Sequence, residues 1–250
     1  MRLIHSSDLQ IGKVFMYFEP EVAALLQDAR QAAVRTLGDL AMKHGASTVL
    51  LAGDIYDKQQ LSPQTLAKPI EGMRQFPKVT WHMIPGNHDH MRENGLWDRL
   101  SRTNLPENVQ LHTSPGAVKI MDDDGTPVFL LPAPLPHIAN VDDLTGYMDK
   151  ETTPEGAIRI GMAHGSIQGF GSDGEASNYV KPTRADTAGL AYLAMGDWHR
   201  QVKINDRVWY SGTPEPDLFK RPPGSSGTLC NGGTALVGAH PTLGWEKVLF

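Results

Sequence analysis

The sequence predicts an α/β fold, and three of its features support this prediction. Short apolar stretches typical of buried strands end directly in Asp, Asn or His at five places along the chain. Between the first two stretches, apolar residues recur at helical spacing, which predicts a strand–helix–strand unit with parallel strands. The chain has 250 residues, of which 40% are hydrophobic and 20% charged, so it can bury a sizeable core.

The first half of the chain predicts alternating strands and helices. Gly45 is a typical helix stop, and Ser62 followed by Pro63 is a typical helix start, because serine caps the helix and proline fits its first turn. The expected elements are, in order, a strand just before Asp8, a helix from Pro20 to about His44, a strand at residues 48–52, a helix from Ser62–Pro63 to about residues 76–77, a strand at residues 79–84 and a short helix at residues 93–103.

The second half predicts shorter strands separated by turns. The run Asp122-Asp123-Asp124-Gly125 indicates a solvated hairpin turn and not a calcium loop, since it lacks the later bidentate glutamate. The segment at residues 165–187 is too long for an ordinary connection and is expected to overhang a site. The remaining expected elements are strands at residues 109–111, 117–121 and 128–131, a short amphipathic helix at 141–150, strands beginning near 158 and 191, a strand pair at 201–205 and 207–210, and a final strand pair near 235 and 247.

We expect one domain over residues 1–250, in which residues 222–250 form an atypical C-terminal loop and strand pair with no capping domain. The formal net charge of -5 gives no molecule-wide basic field of the kind typical of nucleic-acid binders, so any contact with DNA must be local. The single cysteine, Cys230, excludes an intramolecular disulfide. Neither a signal peptide nor a membrane-spanning stretch is recognisable, so we expect a cytoplasmic protein without a membrane contact.

Polar side chains follow the five predicted strand ends. They are Asp8 with Gln10, Asp54, Asn87 with His88, His164, and Asp197 with His199. Ligands in open α/β sheets bind at the carboxyl ends of the strands, so these side chains are expected to meet at one rim. Carboxylates, amides and imidazoles suit manganese, iron or zinc.

Two divalent ions about 3.5–4 Å apart can clamp a phosphoryl group and activate a water for in-line attack. Asp54 lies on a central strand and is suitably placed to bridge two such ions. His88 follows the candidate ligand Asn87, and it fits the acid that protonates the leaving oxygen. Each motif alone has an ordinary explanation, since Gly-Asp after a strand is commonly a turn, and we expect His5, His82 and His112 to be packed in the core. The coincidence of five strand ends favours the metal site.

These motifs resemble the calcineurin-like metallophosphoesterase superfamily. The resemblance is carried by residues 8–10, residues 53–57, the run Gly86-Asn87-His88-Asp89, His164 and residues 196–199. Within the superfamily, residues 1–8 and 192–214 resemble the nuclease subunit of the bacterial SbcCD-type DNA double-strand-break repair complex. The superfamily resemblance implies a two-layered β-sandwich flanked by helices.

The resemblance also implies roles for individual residues. Metal one would be held by Asp8, Gln10, Asp54 and His199, and metal two by Asp54, Asn87, His164 and Asp197. His88 would pair with Asp89 as the acid that faces the phosphate. Gln10 and Asp197 stand where the superfamily usually has histidines. The extra carboxylate and amide oxygen suit Mn²⁺ or Mg²⁺ better than Fe²⁺ or Zn²⁺, and Mn²⁺ is the expected ion.

The predicted function is that of a dinuclear metal-dependent phosphodiesterase, a DNA exonuclease or endonuclease of the SbcD type. The alternatives are a phosphatase or phosphodiesterase for a small molecule or nucleotide, and a non-catalytic scaffold with a weak metal site. The resemblance implies a coiled-coil ATPase as partner. A local track for DNA phosphates would be formed by basic residues in loops near the rim, namely Lys13, Lys181, Arg184, Arg200, Lys220 and Arg221.

Overall fold

The computed structural model of the chain describes residues 1–169 and 177–215, together with the backbone of two strands at Ala235–His240 and Gly244–Leu249. The strands are β1 (Arg2–Ser6), β2 (Thr48–Leu51), β3 (Thr80–Met83), β4 (Val109–Leu111), β5 (Val118–Asp123), β6 (Thr126–Ala133), β7 (Ile158–His164), β8 (Ser166–Ile167), β9 (Tyr179–Val180), β10 (Tyr192–Gly196), β11 (Val202–Lys203), β12 (Val208–Tyr210), β13 (Ala235–His240) and β14 (Gly244–Leu249). The α-helices are α1 (Pro20–His44), α2 (Pro63–Arg74), α3 (Leu96–Ser101) and α4 (Arg184–Thr187), and a 3-10 helix lies at Gly146–Asp149.

Two six-stranded sheets form the body of the fold. The first has the order β14-β13-β1-β2-β3-β4 and the second β11-β12-β10-β7-β6-β5, while β8 and β9 pair separately. Strands β1 to β4 are parallel, as are β6, β7, β10 and β12. Strand β13 joins the first sheet antiparallel to β1, and β14 is antiparallel to β13. The final strand pair predicted from the sequence is therefore present, whereas its preceding loop at residues 222–234 lies outside the described residues.

The two sheets pack face to face. Alternate residues of a strand point to opposite faces, so Leu3 faces the second sheet while Ile4 joins a core on the helix side. The layer between the sheets contains Leu50 from the first sheet and Ile160 from the second, and all these side chains are buried. Apolar side chains of α1, α2 and α3 cover the outer face of the first sheet, and a separate apolar cluster that includes residues of α4 covers the second. The expected β-sandwich flanked by helices is thus confirmed.

The first two helices lie close to where short-range sequence signals predicted them. Helix α1 spans Pro20–His44 as predicted, and Gly45 ends it in the left-handed conformation with φ of 64°. Helix α2 begins after Ser62, whose hydroxyl accepts a hydrogen bond from the Thr65 amide at 3.1 Å. It ends at Arg74, slightly before the predicted end.

Three predicted elements differ from the structure. Instead of a helix over residues 141–150, the chain forms only the 3-10 helix at Gly146–Asp149, because the Asp143 carboxylate accepts hydrogen bonds from the Thr145 amide and hydroxyl and so favours a turn. Strands β5 and β6 extend into the acidic run, which narrows the hairpin turn to Asp124 and Gly125, both with positive φ. The predicted loop at residues 165–187 contains β8, β9 and α4, and residues 170–176 within it lie outside the described residues. In the part of the chain that the structure describes, no helix combines the length and apolarity needed to cross a bilayer.

Candidate metal centre

Hydrogen bonds continue the pairing of β1 and β2 beyond the ends of the strands. The Asp8 amide donates to the Gly53 carbonyl at 3.0 Å, and the Gln10 amide donates to the Asp54 carbonyl at 2.9 Å. The loop that carries Asp8 and Gln10 is therefore fixed beside the loop that carries Asp54. The loops after β3, β7 and β10 meet the same edge and bring the other candidate ligands to it.

The backbone of this rim is strained. Asp8, Gln10, Asp54 and Asp197 all have positive φ, of 56°, 44°, 54° and 100°. The left-handed region costs an L-residue about 1–2 kcal/mol, and residues held there cluster at functional sites. The strain indicates that the surrounding structure holds these four candidate ligands in defined directions.

Two glycines allow the loops to approach each other closely. A Cβ atom at Gly86 would overlap the Asp54 carboxylate, and one at Gly196 would overlap the Ala52 carbonyl. Any larger residue at either position would push apart the loops that carry Asp54, Asn87 and Asp197. The glycines in the sequence motifs thus set the spacing of the site.

On one side of the site, Asp8 faces His199. The Asp8 Oδ2 accepts hydrogen bonds from the Ser7 hydroxyl at 2.5 Å and from the Asp197 amide at 3.2 Å. Its Oδ1 is buried without a hydrogen-bond partner in the described part of the chain and lies 3.7 Å from His199 Nε2. A buried carboxylate oxygen in this state fits a metal ligand, because a bound cation would satisfy it.

Gln10 is oriented differently from the expected oxygen ligand. Its Oε1 accepts a hydrogen bond from Lys13 Nζ at 2.6 Å, and its Nε2 lies 3.3 Å from His199 Nε2. The amide oxygen that the sequence suggested for metal one is therefore directed at Lys13. Gln10 thus lies beside His199, another candidate ligand of metal one, but its side-chain oxygen already accepts a hydrogen bond from the Lys13 ammonium.

On the other side, His164 is held in a single orientation. Its Nδ1 donates to the Ala52 carbonyl at 2.8 Å, which leaves Nε2 directed at the site. That nitrogen lies 2.9 Å from Asn87 Oδ1, 3.6 Å from Asp54 Oδ1 and 3.7 Å from Asp197 Oδ1. Four candidate ligands of metal two thus surround one small volume.

The electrostatics of the site favour a cation. Burial lowers the pKa of His164, but the carboxylates of Asp54, Asp8 and Asp197 outweigh this effect and raise the pKa to about 9. Burial raises the pKa of Asp54, and the neighbouring Asp8 raises it further. Burial likewise raises the pKa of Asp197. Several buried carboxylates therefore share a small region, and positive charge would stabilise their ionised forms.

The donor set fits a divalent metal ion. Asp8, Asp54 and His164 each offer a ligand atom, and these atoms all lie within 4.8 Å of one another. All three side chains are buried, and Asp8 Oδ1 has no hydrogen-bond partner among the described residues. Buried carboxylates are retained when they are paired or coordinate a metal. The residues present therefore match the group that the sequence motifs imply.

His88 lies beside the candidate ligands and not among them. Its Nδ1 donates to the Asp57 carbonyl oxygen at 2.9 Å and lies 3.8 Å from the Asp57 carboxylate. Its Nε2 points toward the site, 3.8 Å from Asp54 Oδ2, and 40% of the side chain is exposed. A proton on Nε2 would thus face substrate that enters from solvent.

The expected pairing of His88 with Asp89 is wrong. Asp89 is fully buried, and its carboxylate accepts hydrogen bonds from the Gly86 amide at 2.6 Å and the Tyr56 amide at 3.1 Å. Burial and the nearby Asp54 raise the pKa of Asp89 to about 7. Asp89 therefore ties the loop after β3 to the loop after β2, and Asp57 is the residue that contacts the His88 imidazole.

The sequence did not predict four side-chain contacts that support the site. Asp57 contacts His88, Lys13 contacts Gln10, Ser7 donates to Asp8, and Ser166 donates to Asp197 Oδ2 at 3.2 Å. Asp57 lies three residues after Asp54 within a motif that the sequence analysis used, so its carboxylate was a usable signal. The serines had no such signal, because their contacts depend on the packing of the loops.

The structure removes one residue, Arg184, from the basic track predicted from the sequence. Arg184 is 1% exposed and forms ion pairs with Asp143 and Asp149, so its assignment as a phosphate contact is wrong. Lys181 and Arg200 are exposed. Lys220 and Arg221 lie outside the described residues.

Comparison with known proteins supports the sequence motifs. The model of the calcineurin-like phosphoesterase family matches residues 1–201. A curated relative, the uncharacterized metallophosphoesterase YhaO of Bacillus subtilis (strain 168), is 26% identical over 215 residues, which cover 82% of this chain and 50% of that protein. The chain thus spans about half the length of this relative.

Solved structures share the fold at low sequence identity. TT1561 of Thermus thermophilus superposes with a TM-score of 0.52 at 12% identity, over 85% of this chain and 89% of that one. GAP50, described as the anchor in the inner membrane complex of Plasmodium, superposes with a TM-score of 0.55 at 9% identity, over 100% of this chain and 84% of that one. These two likenesses show a common fold and no more.

Proposed function

The chain belongs to the calcineurin-like phosphoesterase family, and we propose that within this family of metal-dependent phosphoesterases it is a dinuclear phosphodiesterase that hydrolyses DNA. The observation that carries the proposal is the convergence of the polar side chains from five strand ends. Each of them has an atom within 3.8 Å of another member of the group.

Asp8, Asp54 and His199 would hold one metal ion, and Asp54, Asn87, His164 and Asp197 the other. Bound divalent ions would supply Lewis acidity, which lowers the pKa of water and neutralises charge on the phosphoryl oxygens. Asp8, Asp54 and Asp197 contribute three carboxylates, and oxygen ligands suit Mn²⁺ better than Zn²⁺. We therefore assign Mn²⁺ as the activating ion.

His88 is the proposed acid for the leaving oxygen. Asp57 accepts a hydrogen bond from Nδ1–H, so Nε2 is the nitrogen that faces the site, and the imidazolium form of the ring can donate a proton from it. This orientation suits transfer of a proton to an alkoxide leaving group, which needs more help than an activated phenolate.

The charge of the site favours a phosphodiester over a phosphomonoester. A monoester carries close to two negative charges at neutral pH, because its second pKa is about 6, whereas a diester carries a single charge. Asp197 adds negative charge at a position where the family usually has a neutral histidine. Repulsion should therefore penalise the monoester more strongly.

DNA is the proposed diester because residues 1–8 and 192–214 resemble SbcD-type nucleases, and because Lys13, Lys181 and Arg200 offer cationic contacts in loops after three of the strand ends. The acidic chain, with a net charge of -5, favours the alternative of a small diester. The two candidates differ in the size of the substrate and not in the chemistry.

A comparison of three substrates tests the proposal. Purified protein is assayed with Mn²⁺, Mg²⁺, Zn²⁺ or Fe²⁺ on bis(p-nitrophenyl) phosphate, on p-nitrophenyl phosphate and on single-stranded DNA, with Asp54→Asn as the control that removes the shared ligand. We expect Mn²⁺-dependent hydrolysis of the bis-ester and DNA, weak hydrolysis of the mono-ester, and no activity in Asp54→Asn.

Other results would contradict the proposal in distinct ways. Preference for the mono-ester would indicate a phosphatase, and hydrolysis of the bis-ester without DNA cleavage would indicate a phosphodiesterase for small molecules. Metal binding without hydrolysis of any substrate would indicate a scaffold.

A further inference from the structure

A polar groove lies beside the candidate metal centre, between the loop that follows Gln10 and the loop that follows Asp57. We propose that this groove is a subsite for the nucleotides next to the scissile phosphate, and that its occupant is a stretch of single-stranded DNA. The inference rests on the proposed function and adds a substrate contact that the metal centre does not provide.

The groove begins where two loops of the metal centre separate. The Ile11 amide donates to the Ile55 carbonyl at 2.9 Å, and the Asp57 amide donates to the Ile11 carbonyl at 3.0 Å, so the loops are joined up to this point. Beyond it, Val14 lines one wall and Lys58 the other. One wall is therefore formed by the chain segment just after Gln10. The other wall is formed by the segment just after Asp57, the residue that holds the His88 ring.

The groove is large enough for part of a nucleotide chain, with a volume of about 300 Å³. Its floor and walls are completed by Gln27 and Gln31 from α1 and by Gln60 and Leu61 from the segment before α2. Pockets that hold small organic ligands begin at about this volume.

The side chains of the groove match the chemistry of unpaired bases. Glutamine amides both donate and accept hydrogen bonds, so three of them can read the polar edges of a base, while Val14 and Leu61 offer apolar surface to its face. Lys58 is exposed and can contact a phosphate. The chain carries a net charge of -5, yet none of the described residues that line the groove has a carboxylate.

The same chemistry favours single strands over duplex DNA. In a duplex the Watson–Crick edges are paired and the base faces are stacked, so an individual base could not enter the groove. Proteins that bind single strands combine a cationic track with surfaces for exposed bases. Lys13, which lies between two groove-lining residues and contacts Gln10, places a second cation where the groove opens toward the metal centre.

Two groove variants and two matched controls test the inference. The variants are Gln27→Ala/Gln31→Ala and Lys58→Met, and the controls are Gln110→Ala and Lys68→Met, which change exposed side chains outside the groove. Alanine is the best helix former, so the double variant should fold. Steady-state kinetics are measured on single-stranded DNA at several salt concentrations and on bis(p-nitrophenyl) phosphate, which is too short to occupy the groove.

For Gln27→Ala/Gln31→Ala, we expect KM for single-stranded DNA to rise about tenfold, because two hydrogen bonds to the substrate are lost. For Lys58→Met, we expect the slope of log KM against log salt concentration to fall by about 1, because one phosphate contact is lost. Kinetics on the bis-ester should match those of the controls.

Each alternative outcome has a clear meaning. If the wild type cleaves single-stranded DNA and both groove variants match their controls, the subsite is wrong while the proposed function stands. If the variants lose activity equally on DNA and the bis-ester, the groove residues act on the metal centre and the subsite is again wrong. If the wild type hydrolyses the bis-ester but never DNA, the proposed substrate fails and the subsite fails with it.

Discussion

The orientation of the His88 ring is set by a neighbouring residue. The Asp57 carbonyl oxygen fixes Nδ1, so the ring presents Nε2 to the site without joining the candidate metal ligands. With 40% of the side chain exposed, the ring can reach both solvent and a phosphoester held at the rim.

The variant His88→Ala should lose turnover mainly on substrates with poor leaving groups. General-acid help contributes about 10²–10⁴-fold, and an activated phenolate needs little of it. We therefore expect a large loss of kcat on DNA or an alkyl diester and a much smaller loss on bis(p-nitrophenyl) phosphate. His137→Ala, at an exposed histidine that is not one of the candidate ligands, serves as the control.

Metal content must be measured in the same preparations. Equal loss of activity on good and poor leaving groups, with metals retained, would argue against the acid role. Loss of bound metal would make His88 a ligand.

At the scale of elements, the site depends on how closely the ends of the two sheets approach. Gly196 ends β10 in the second sheet, and a Cβ there would overlap the Ala52 carbonyl from the loop after β2 and contact His164 Nδ1 too closely. The same carbonyl holds His164 in place at 2.8 Å. The geometry of the metal centre is therefore coupled to the packing of β10 against the first sheet.

The variant Gly196→Ala should weaken metal binding and lower stability together. The added methyl group must displace backbone, and overpacking of this kind costs about 1–3 kcal/mol. Isothermal titration with Mn²⁺ and thermal unfolding of the metal-free protein would measure the two effects. Gly146→Ala is the matched control, since its Cβ would meet only the end of the Arg184 side chain at 3.8 Å. Normal metal affinity in Gly196→Ala would show that the close approach does not position the ligands.

For the whole molecule, a buried pair of histidines links folding to pH. His82 and His112 stack with ring centroids 5.1 Å apart, and His82 Nδ1 lies 2.9 Å from His112 Nε2. Burial and the neighbouring His112 lower the pKa of His82 to about 3, and burial lowers the pKa of His112 to about 4. Both rings are therefore neutral in the folded protein at neutral pH.

This pair should make the fold sensitive to acid. Well above pH 6.5 the rings are neutral in both the folded and the unfolded states, so they add no pH dependence there. Below pH 6.5, the two histidines bind protons in the unfolded chain but stay neutral in the folded chain. The free energy of unfolding should therefore fall by about 2 kcal/mol per ring by pH 5. Urea unfolding of metal-free protein at pH 7 and pH 5 would measure this change.

The double variant His82→Leu/His112→Leu isolates the contribution of the pair. Replacing both partners with apolar groups can be nearly neutral at pH 7, and the variant should lose less stability than the wild type between pH 7 and pH 5. The same loss in both proteins would show that the acid sensitivity does not come from this histidine pair.

The sequence by itself determined the features that depend on neighbours in the chain. Helix α1 was bounded correctly because apolar periodicity and the Gly45 stop are local signals, and the Ser62 cap of α2 acts over three residues. The candidate ligands were also identifiable, because each follows an apolar strand, and parallel strands in neighbouring positions deliver their carboxyl ends to one rim.

Only the tertiary structure decided which of these side chains contact one another. His88 contacts Asp57 and not Asp89. The Gln10 side-chain oxygen accepts a hydrogen bond from Lys13. Arg184 forms ion pairs with Asp143 and Asp149. A motif fixes where a side chain leaves the backbone, but its direction follows from loops that are distant in sequence and that pack within a few ångströms. Hydrogen bonds and ion pairs depend on those distances, and so the partners within the site are set by packing and not by spacing along the chain.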